Sequence, residues 1–367
     1  MKRVLHVVGT MDYGGVETLL MTIYRKIDRQ NIQFDFLCHN RSTGKYTDEI
    51  AELGGRVFSV EGPSHLGLVR YHKQLVSYFR THPEYHIIHA HKSGLNGLIL
   101  YPAKITGIRN RISHSHIAGA SFGFPKNAIV SYSMLLNQIS ATDRFACSIE
   151  AGKYLFHNAS FEVIPNAIDV EKFVFDSEMR GAIRQELHAD DDTVVIGHVG
   201  RFTEQKNHDQ IICIFSEYHS INPNSILVLL GDGETREEIE DKVQKMHLSP
   251  FVRFEGLHAN VNEYYSAMDC FLFPSLYEGL GIVAVEAQCS GLPVLASDRV
   301  PSEVQVTEDI HFLSLSDSPA QWAAKMHEII RSHSLTARTK AEDLFRSSRY
   351  NIDTVANRLE MYYNSLL

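Results

Sequence analysis

Residues 270–286 read CFLFPSLYEGLGIVAVE, and this stretch decides the fold. Cys270–Phe273 is a short, continuous apolar run, the pattern of a strand buried on both faces of a parallel sheet. Pro274-Ser275-Leu276-Tyr277 carries the chain out of it, and a helix is expected from near Gly281. A strand that feeds a helix through so short an exit is the repeating unit of an α/β fold. Gly279 and Gly281 lack a Cβ, so backbone there can approach a ligand closely. A helix starting near Gly281 would offer unpaired N–H groups to phosphate or sugar oxygens. Glu278 and Glu286, separated by seven residues, would accept hydrogen bonds from the hydroxyls that sugars and ribose supply. A helix N-terminus that is simply rich in acid would also account for Glu278.

The same unit recurs in both directions. In the first half, Val4–Val8, Phe34–Leu37, Arg56–Val60, His86–His89, Arg111–His114, Phe145–Cys147 and Phe161–Ile164 read as strands. In the second half, Val194–Val199, Ile226–Leu230, Val252–Phe254, Cys270–Phe273, Pro293–Ala296 and His311–Leu313 do. Helix-period spacing lies between them, as in Leu66–Arg80, Lys126–Ile139, Asn207–His219 and Glu234–His247. Two such runs imply two doubly wound, Rossmann-like domains, with ligands at the carboxyl ends of the strands. Pro165-Asn166 stops a strand and starts a turn. The expected domains are therefore 1–165 and 166–350, with a last helical segment over 351–367.

Three further motifs follow strands. Gly200-Arg201-Phe202-Thr203-Glu204-Gln205-Lys206 comes after Val194–Val199. Its Arg and Lys are placed to hold a diphosphate, one as a fork and one as a point charge. A solvated loop with two ordinary cations is the other reading. Residues 11–17, with Gly14 and Gly15, follow the first strand, and a double glycine there lets backbone N–H groups reach a phosphate. His86, His89, His91, His114 and His116 cluster on strand ends. Alternate residues share a face, so two H-x-H pairs could hold a metal. A histidine serving a ligand is the preferred reading, because His114 and His116 sit at a strand's carboxyl end. The dinucleotide fingerprint G-x-G-x-x-G, the P-loop, G-x-S-x-G and H-E-x-x-H are absent, which argues against a nicotinamide dehydrogenase. Asp190-Asp191-Asp192 precedes a strand and is not a metal-diphosphate D-x-D.

Composition sets the surroundings. The 367 residues are 44% hydrophobic and 22% charged, as in ordinary globular domains. The apolar run after Met1-Lys2-Arg3 ends at Gly9, too short for a signal-peptide core, and no run approaches the ~20 residues of a membrane span. Five scattered cysteines without C-x-x-C fit a reducing compartment, so a cytoplasmic location is expected. The sequons Asn40-Arg41-Ser42 and Asn158-Ala159-Ser160 are then chance matches. The net charge of −9 is uneven: 18 Lys and Arg against 12 Asp and Glu in residues 1–165, and 17 against 32 in the rest. The basic half suits an anionic partner such as phosphate-bearing lipid or a membrane surface.

Gly14-Gly15-Val16-Glu17, residues 164–169 (IPNAID), the Gly-Arg-x4-Lys segment, the Glu-x7-Glu stretch and residues 290–294 (SGLPV) together resemble the retaining glycosyltransferase family 4 of GT-B fold, nearest to enzymes of bacterial exopolysaccharide and capsule assembly. The resemblance runs along nearly the whole chain. It implies two Rossmann-like domains facing a central cleft, with the C-terminal helix crossing back to the first. It implies donor contacts from Gly14, Gly15, Arg201, Lys206, Glu278, Gly279, Leu280, Gly281, Ile282, Val283 and Glu286. Glu278 would take the donor sugar's hydroxyls and Glu286 the ribose hydroxyls. Arg201 and Lys206 would neutralise the diphosphate, and His116, with His114 as alternate, would stand near the donor sugar. The implied donor is a nucleotide-sugar, UDP-linked by family frequency. The implied acceptor is a saccharide or a polyprenyl-diphosphate-linked one, with neither metal cofactor nor nucleic acid involved. Two departures stand out. Ala167 replaces the family's usual Gly, and residues 297–303 (SDRVPSE) replace a double-glycine loop. A nucleotide-sugar epimerase of the same fold and a catalytically inactive binding protein are the alternative readings.

Overall fold

The computed structural model describes residues 1–12, 14–39, 44–117, 126–258 and 260–366. The chain divides into two units. The first is Met1–Ala167 together with the C-terminal segment from Ile352, and the second is Ile168–Asn351. Each strand read from the sequence is present, with ends moved by at most two residues.

The first unit holds seven strands: β1 (Lys2–Val8), β2 (Ile32–Cys38), β3 (Val57–Ser59), β4 (Ile87–Ala90), β5 (Asn110–Ser115), β6 (Asp143–Ala146) and β7 (Glu162–Val163). All pair in parallel, in the order β3-β2-β1-β4-β5-β6-β7. Alternation along β1 sorts its side chains between two cores. Val4 and Val8 pack with Phe34 and Phe36 of β2, with the helix Gly15–Lys26 and with Leu359 and Tyr363 of the C-terminal helix Ile352–Ser365. Leu5 and Val7 pack on the other face with Leu37, Ile88, Tyr71 and Leu75. The C-terminal helix thus covers one face of the first sheet.

The second unit holds β8 (Val194–Val199), β9 (Ser225–Leu230), β10 (Val252–Gly256), β11 (Cys270–Phe273), β12 (Val294–Ser297) and β13 (Ile310–Leu313). They form a parallel sheet in the order β10-β9-β8-β11-β12-β13. This is the doubly wound order, and the direction of winding reverses between β8 and β11. The corresponding reversal in the first unit lies between β1 and β4. The turn before β12 is held by a buried arginine. Arg338 donates to the Ser290 carbonyl and hydroxyl and to the carbonyls of Tyr265, Ser266 and Met268. Gly291 (φ 60°) lies so close that a Cβ would stand 2.3 Å from the Arg338 carbonyl oxygen, so only glycine fits. None of the five cysteines forms a disulfide.

Candidate active site

In the second unit, the loops that leave β8 and β11 are neighbours because those strands are neighbours at the reversal. Asn207, in the left-handed region (φ 56°), starts the helix His208–Ile221 and donates from its amide to the Pro274 carbonyl at 3.1 Å. The Leu276 N–H donates to the Gln205 carbonyl at 2.9 Å. The Gln205 amide donates to the Tyr277 carbonyl (2.9 Å) and to Glu278 Oε2 (3.3 Å). So tied, the loops bring Lys206 Nζ to 2.7 Å from Glu278 Oε1. The pair is largely buried, and the ammonium also stands 5.1 Å from the centre of the Phe273 ring. A pair held this way does not rely on the Coulomb term alone. Backbone ties fix both loops, and Gln205 satisfies the second carboxylate oxygen.

Gly281 (φ 90°) begins the helix Ile282–Cys289, and its Cα faces Phe273 at a distance that would put a Cβ 3.0 Å from the ring. Gly281 and Leu280 are buried, whereas Ile282 and Val283 are partly exposed on the first turn. Glu286 lies further along the same helix and accepts from the Tyr265 hydroxyl at 2.9 Å. Burial pushes the Glu286 carboxyl up to about 7. Arg201 behaves differently from Lys206. It is 75% exposed and lies 3.6 Å from the equally open Glu234. Beneath these loops, Gly231 (φ 138°) allows backbone to approach the Gly200 carbonyl, which a Cβ would meet at 2.0 Å. His198, buried below Gly200, is kept neutral by burial.

In the first unit, Gly14 is the extended residue before the helix Gly15–Lys26. A Cβ on Gly14 would stand 2.3 Å from Glu17 Oε2, while one on Gly15 would meet nothing within 4 Å. Glu17 therefore folds over the loop at the helix N-terminus, and burial raises its carboxyl above the usual range. Tyr13 and the sequon Asn40-Arg41-Ser42 lie outside the described residues.

The histidines form a lattice on adjacent strands. His91 Nδ1 and His116 Nε2 are 2.9 Å apart, and His6 Nδ1 and His91 Nε2 3.0 Å. His89 Nε2 and His114 Nδ1 are 3.2 Å apart, and the Tyr363 hydroxyl lies 2.7 Å from His89 Nδ1. Burial lowers all five rings, His6 to about 3 and His116 to about 4. His116 is the one partly exposed ring, whereas His114 is buried. The His116 N–H donates to Ser93 Oγ at 3.0 Å, and Ser93 takes a left-handed φ of 47° to reach it. His86, grouped with the others by sequence, is exposed and outside the lattice. His6 replaces it, because β1 pairs with β4 in a register that sets His6 opposite His89.

Sequence reasoning missed Gln205, Tyr265, Ser93 and His6. The signal for His6 was present in its alternate position in β1. The other three become visible only when segments distant in sequence meet. Asp190 serves a turn: its carboxylate accepts from the Thr193 N–H at 2.8 Å and from the Thr193 hydroxyl at 2.6 Å. Among the described residues, no helix is long and apolar enough to cross a membrane.

Residues 13–172 match the family described as Glycosyltransferase Family 4, and residues 179–343 match Glycosyl transferases group 1. EpsF of Bacillus subtilis strain 168, named as a glycosyltransferase, is 34% identical over 88% of this chain and 86% of its own. An Escherichia coli protein named UDP-Gal:alpha-D-GlcNAc-diphosphoundecaprenol alpha-1,3-galactosyltransferase is 24% identical over 81% of this chain and 79% of its own. Anabaena Alr3699/HepE, solved in complex with UDP-glucose, superposes with a TM-score of 0.81 at 19% identity over the full length of both chains. The two domains thus have the GT-B fold, and the chain belongs to the family 4 glycosyltransferases.

Proposed function

We propose that this family 4 chain is a retaining enzyme that moves a hexosyl or N-acetylhexosaminyl group from a UDP-sugar to a saccharide or polyprenyl-diphosphate-linked acceptor in exopolysaccharide or capsule assembly. The observation that carries the reading is the Lys206–Glu278 pair at 2.7 Å, set beside the first turn of the helix that Gly281 begins. The pair supports the reading because it offers a cation suited to a diphosphate and a carboxylate suited to sugar hydroxyls, beside a helix N-terminus of the kind that favours anions. The name of EpsF supports glycosyl transfer, that of the Escherichia coli galactosyltransferase the kind of acceptor, and the UDP-glucose in HepE the base.

In this reading Glu278 binds the donor sugar and Glu286 the ribose. Lys206 and the exposed Arg201 balance the charge that grows on the leaving diphosphate, a role a metal ion plays elsewhere. Gly14, Gly15 and the amides of residues 279–283 line the phosphates, and His116 stands near the donor sugar. The acceptor oxygen attacks the anomeric carbon from the face the diphosphate leaves. The C–O bond to phosphate breaks as the new glycosidic bond forms, and the acceptor's proton passes to the departing phosphate oxygen. The enzyme would work at the inner face of the cytoplasmic membrane. The excess of basic residues in the first unit and its exposed Val69, Leu135 and Ile139 support that placement.

Thermal melting of the chain against UDP, GDP, ADP, their sugar conjugates and NAD tests the donor. A selective rise with UDP and one UDP-sugar is expected. A rise with GDP or ADP alone would reassign the base, and no rise across the panel would overturn the donor site.

A further inference from the structure

We propose that His91, His114 and His116 form a binding site for a divalent transition metal of the zinc type. The five-ring lattice exceeds what one donor-facing histidine requires. One ring nitrogen from each of these three residues lies within 4.8 Å of the other two. His91 Nδ1 and His116 Nε2 already point at each other at 2.9 Å. His114 Nε2 is buried and makes no hydrogen bond. Three imidazoles at Zn–N distances of 2.0–2.1 Å around a tetrahedral ion have nitrogens ~3.4 Å apart. His91 and His116 need to part by about half an ångström, and His114 to close in, for the three to meet one ion.

Two of the three outer nitrogens, those of His91 and His114, are held as ligands require. A metal-bound imidazole is oriented by a hydrogen bond at its other nitrogen. His91 Nε2 has His6 Nδ1 at 3.0 Å, and His114 Nδ1 has His89 Nε2 at 3.2 Å. His89 is anchored in turn by the Tyr363 hydroxyl. The strands provide the frame: His89 lies in β4 and His114 in the parallel neighbour β5, and His91 and His116 follow the last residue of each, two positions on from those rings. A second triad, His6, His89 and His91, is buried throughout. The first includes His116, the one partly exposed ring of the lattice, and three protein nitrogens would leave a tetrahedral ion a fourth position for water. An all-imidazole set selects zinc, copper or nickel over magnesium or calcium. On the role given to His116 above, metal and donor sugar compete for that ring, so zinc slows transfer; this clause alone rests on the transferase reading.

The test uses the full chain, dialysed free of metal and titrated with cobalt(II), without donor or acceptor. A single equivalent should give the strong visible absorption of a four-coordinate nitrogen site, and zinc should displace it. His116→Ala should abolish the signal. His6→Ala, which removes only an outer partner, should weaken affinity about 10- to 100-fold. His86→Ala should change nothing. Tyr363→Phe loosens the same outer shell and replaces His6→Ala if that variant melts too low to titrate. Absence of the absorption, or a signal that survives in His116→Ala, would overturn the site. Intact metal binding with no response to any nucleotide would fault the transferase reading instead.

Discussion

The two units share a topology and concentrate their notable polar residues at the same place, the strand reversal, yet they fill it with opposite chemistry. At β8/β11 the residues are ions on loops: Lys206 and Glu278 in contact and largely buried, with Arg201 exposed beside Glu234. At β1/β4/β5 they are uncharged rings on strands, held by one another and by Tyr363. Strands bury their side chains on both faces, and burial strips a histidine of its proton. Loops tied through backbone bonds can hold a charged pair near solvent without exposing the core. The same fold therefore gives one unit a site suited to a changing charge, and the other a rigid, neutral one suited to holding a neutral group or an uncharged ligand set.

The largest effect expected breaks the charged side. Glu278→Ala or Lys206→Ala should reduce transfer by about 10²- to 10³-fold, the range for removing one preorganised stabiliser of a growing charge. Both should still melt cooperatively, because the loops are fixed by Leu276, Asn207 and Gln205 rather than by the pair. The double variant should lose little more than either single one, since the two groups act as a unit. Near-normal turnover in a folded single variant would sink the site. Strict additivity would show that the pair seen here is not the working arrangement.

A smaller effect sharpens the contrast through pH. His6 is lowered from 6.5 to about 3, so the unfolded chain binds its proton first. Above pH 6.5 the ring is neutral in both states, and stability falls as the pH drops from there toward 3, by at most ~1.4 kcal/mol per unit. Glu286 is raised from 4.5 to about 7, so the folded chain holds the proton longer. Its contribution runs the other way, with stability falling as the pH rises from 4.5 to 7. Denaturant unfolding across this range should show His6→Phe with a shallower acid slope than the parent. Glu286→Gln, which keeps an acceptor for Tyr265, should gain stability over the parent between pH 4.5 and 7. Parallel profiles for all three proteins would contradict both assignments.

The contrast also explains what could be read from the sequence. Strands announce themselves by composition, so all thirteen were legible, as was the bond of Glu278 and Glu286 to a glycine-rich helix start. The lattice was half legible. The H-x-H spacing at the carboxyl ends of β4 and β5 gives four of its rings, but His6 needs the parallel register of β1 against β4. His86 was misgrouped because it stands three residues from His89, an odd spacing that denies it the shared face, and it precedes β4, which begins at Ile87. Gln205 and Tyr265 were illegible because their role comes from partners 73 and 21 residues away, and neither carries a local signature.

The smallest effect expected is none. If the diphosphate is balanced by Lys206, Arg201 and the first turn after Gly281, then EDTA should leave the transfer rate of metal-free protein unchanged. A metal in the histidine lattice would sit on strands of the first unit, where it could occupy His116 but is not asked to carry the leaving charge. Added zinc should therefore lower the rate, and EDTA should restore it to the metal-free value and no higher. Complete loss in EDTA, rescued by one metal, would mean that the neutral region supplies the charge after all, and the division of labour between the two units would fall with it.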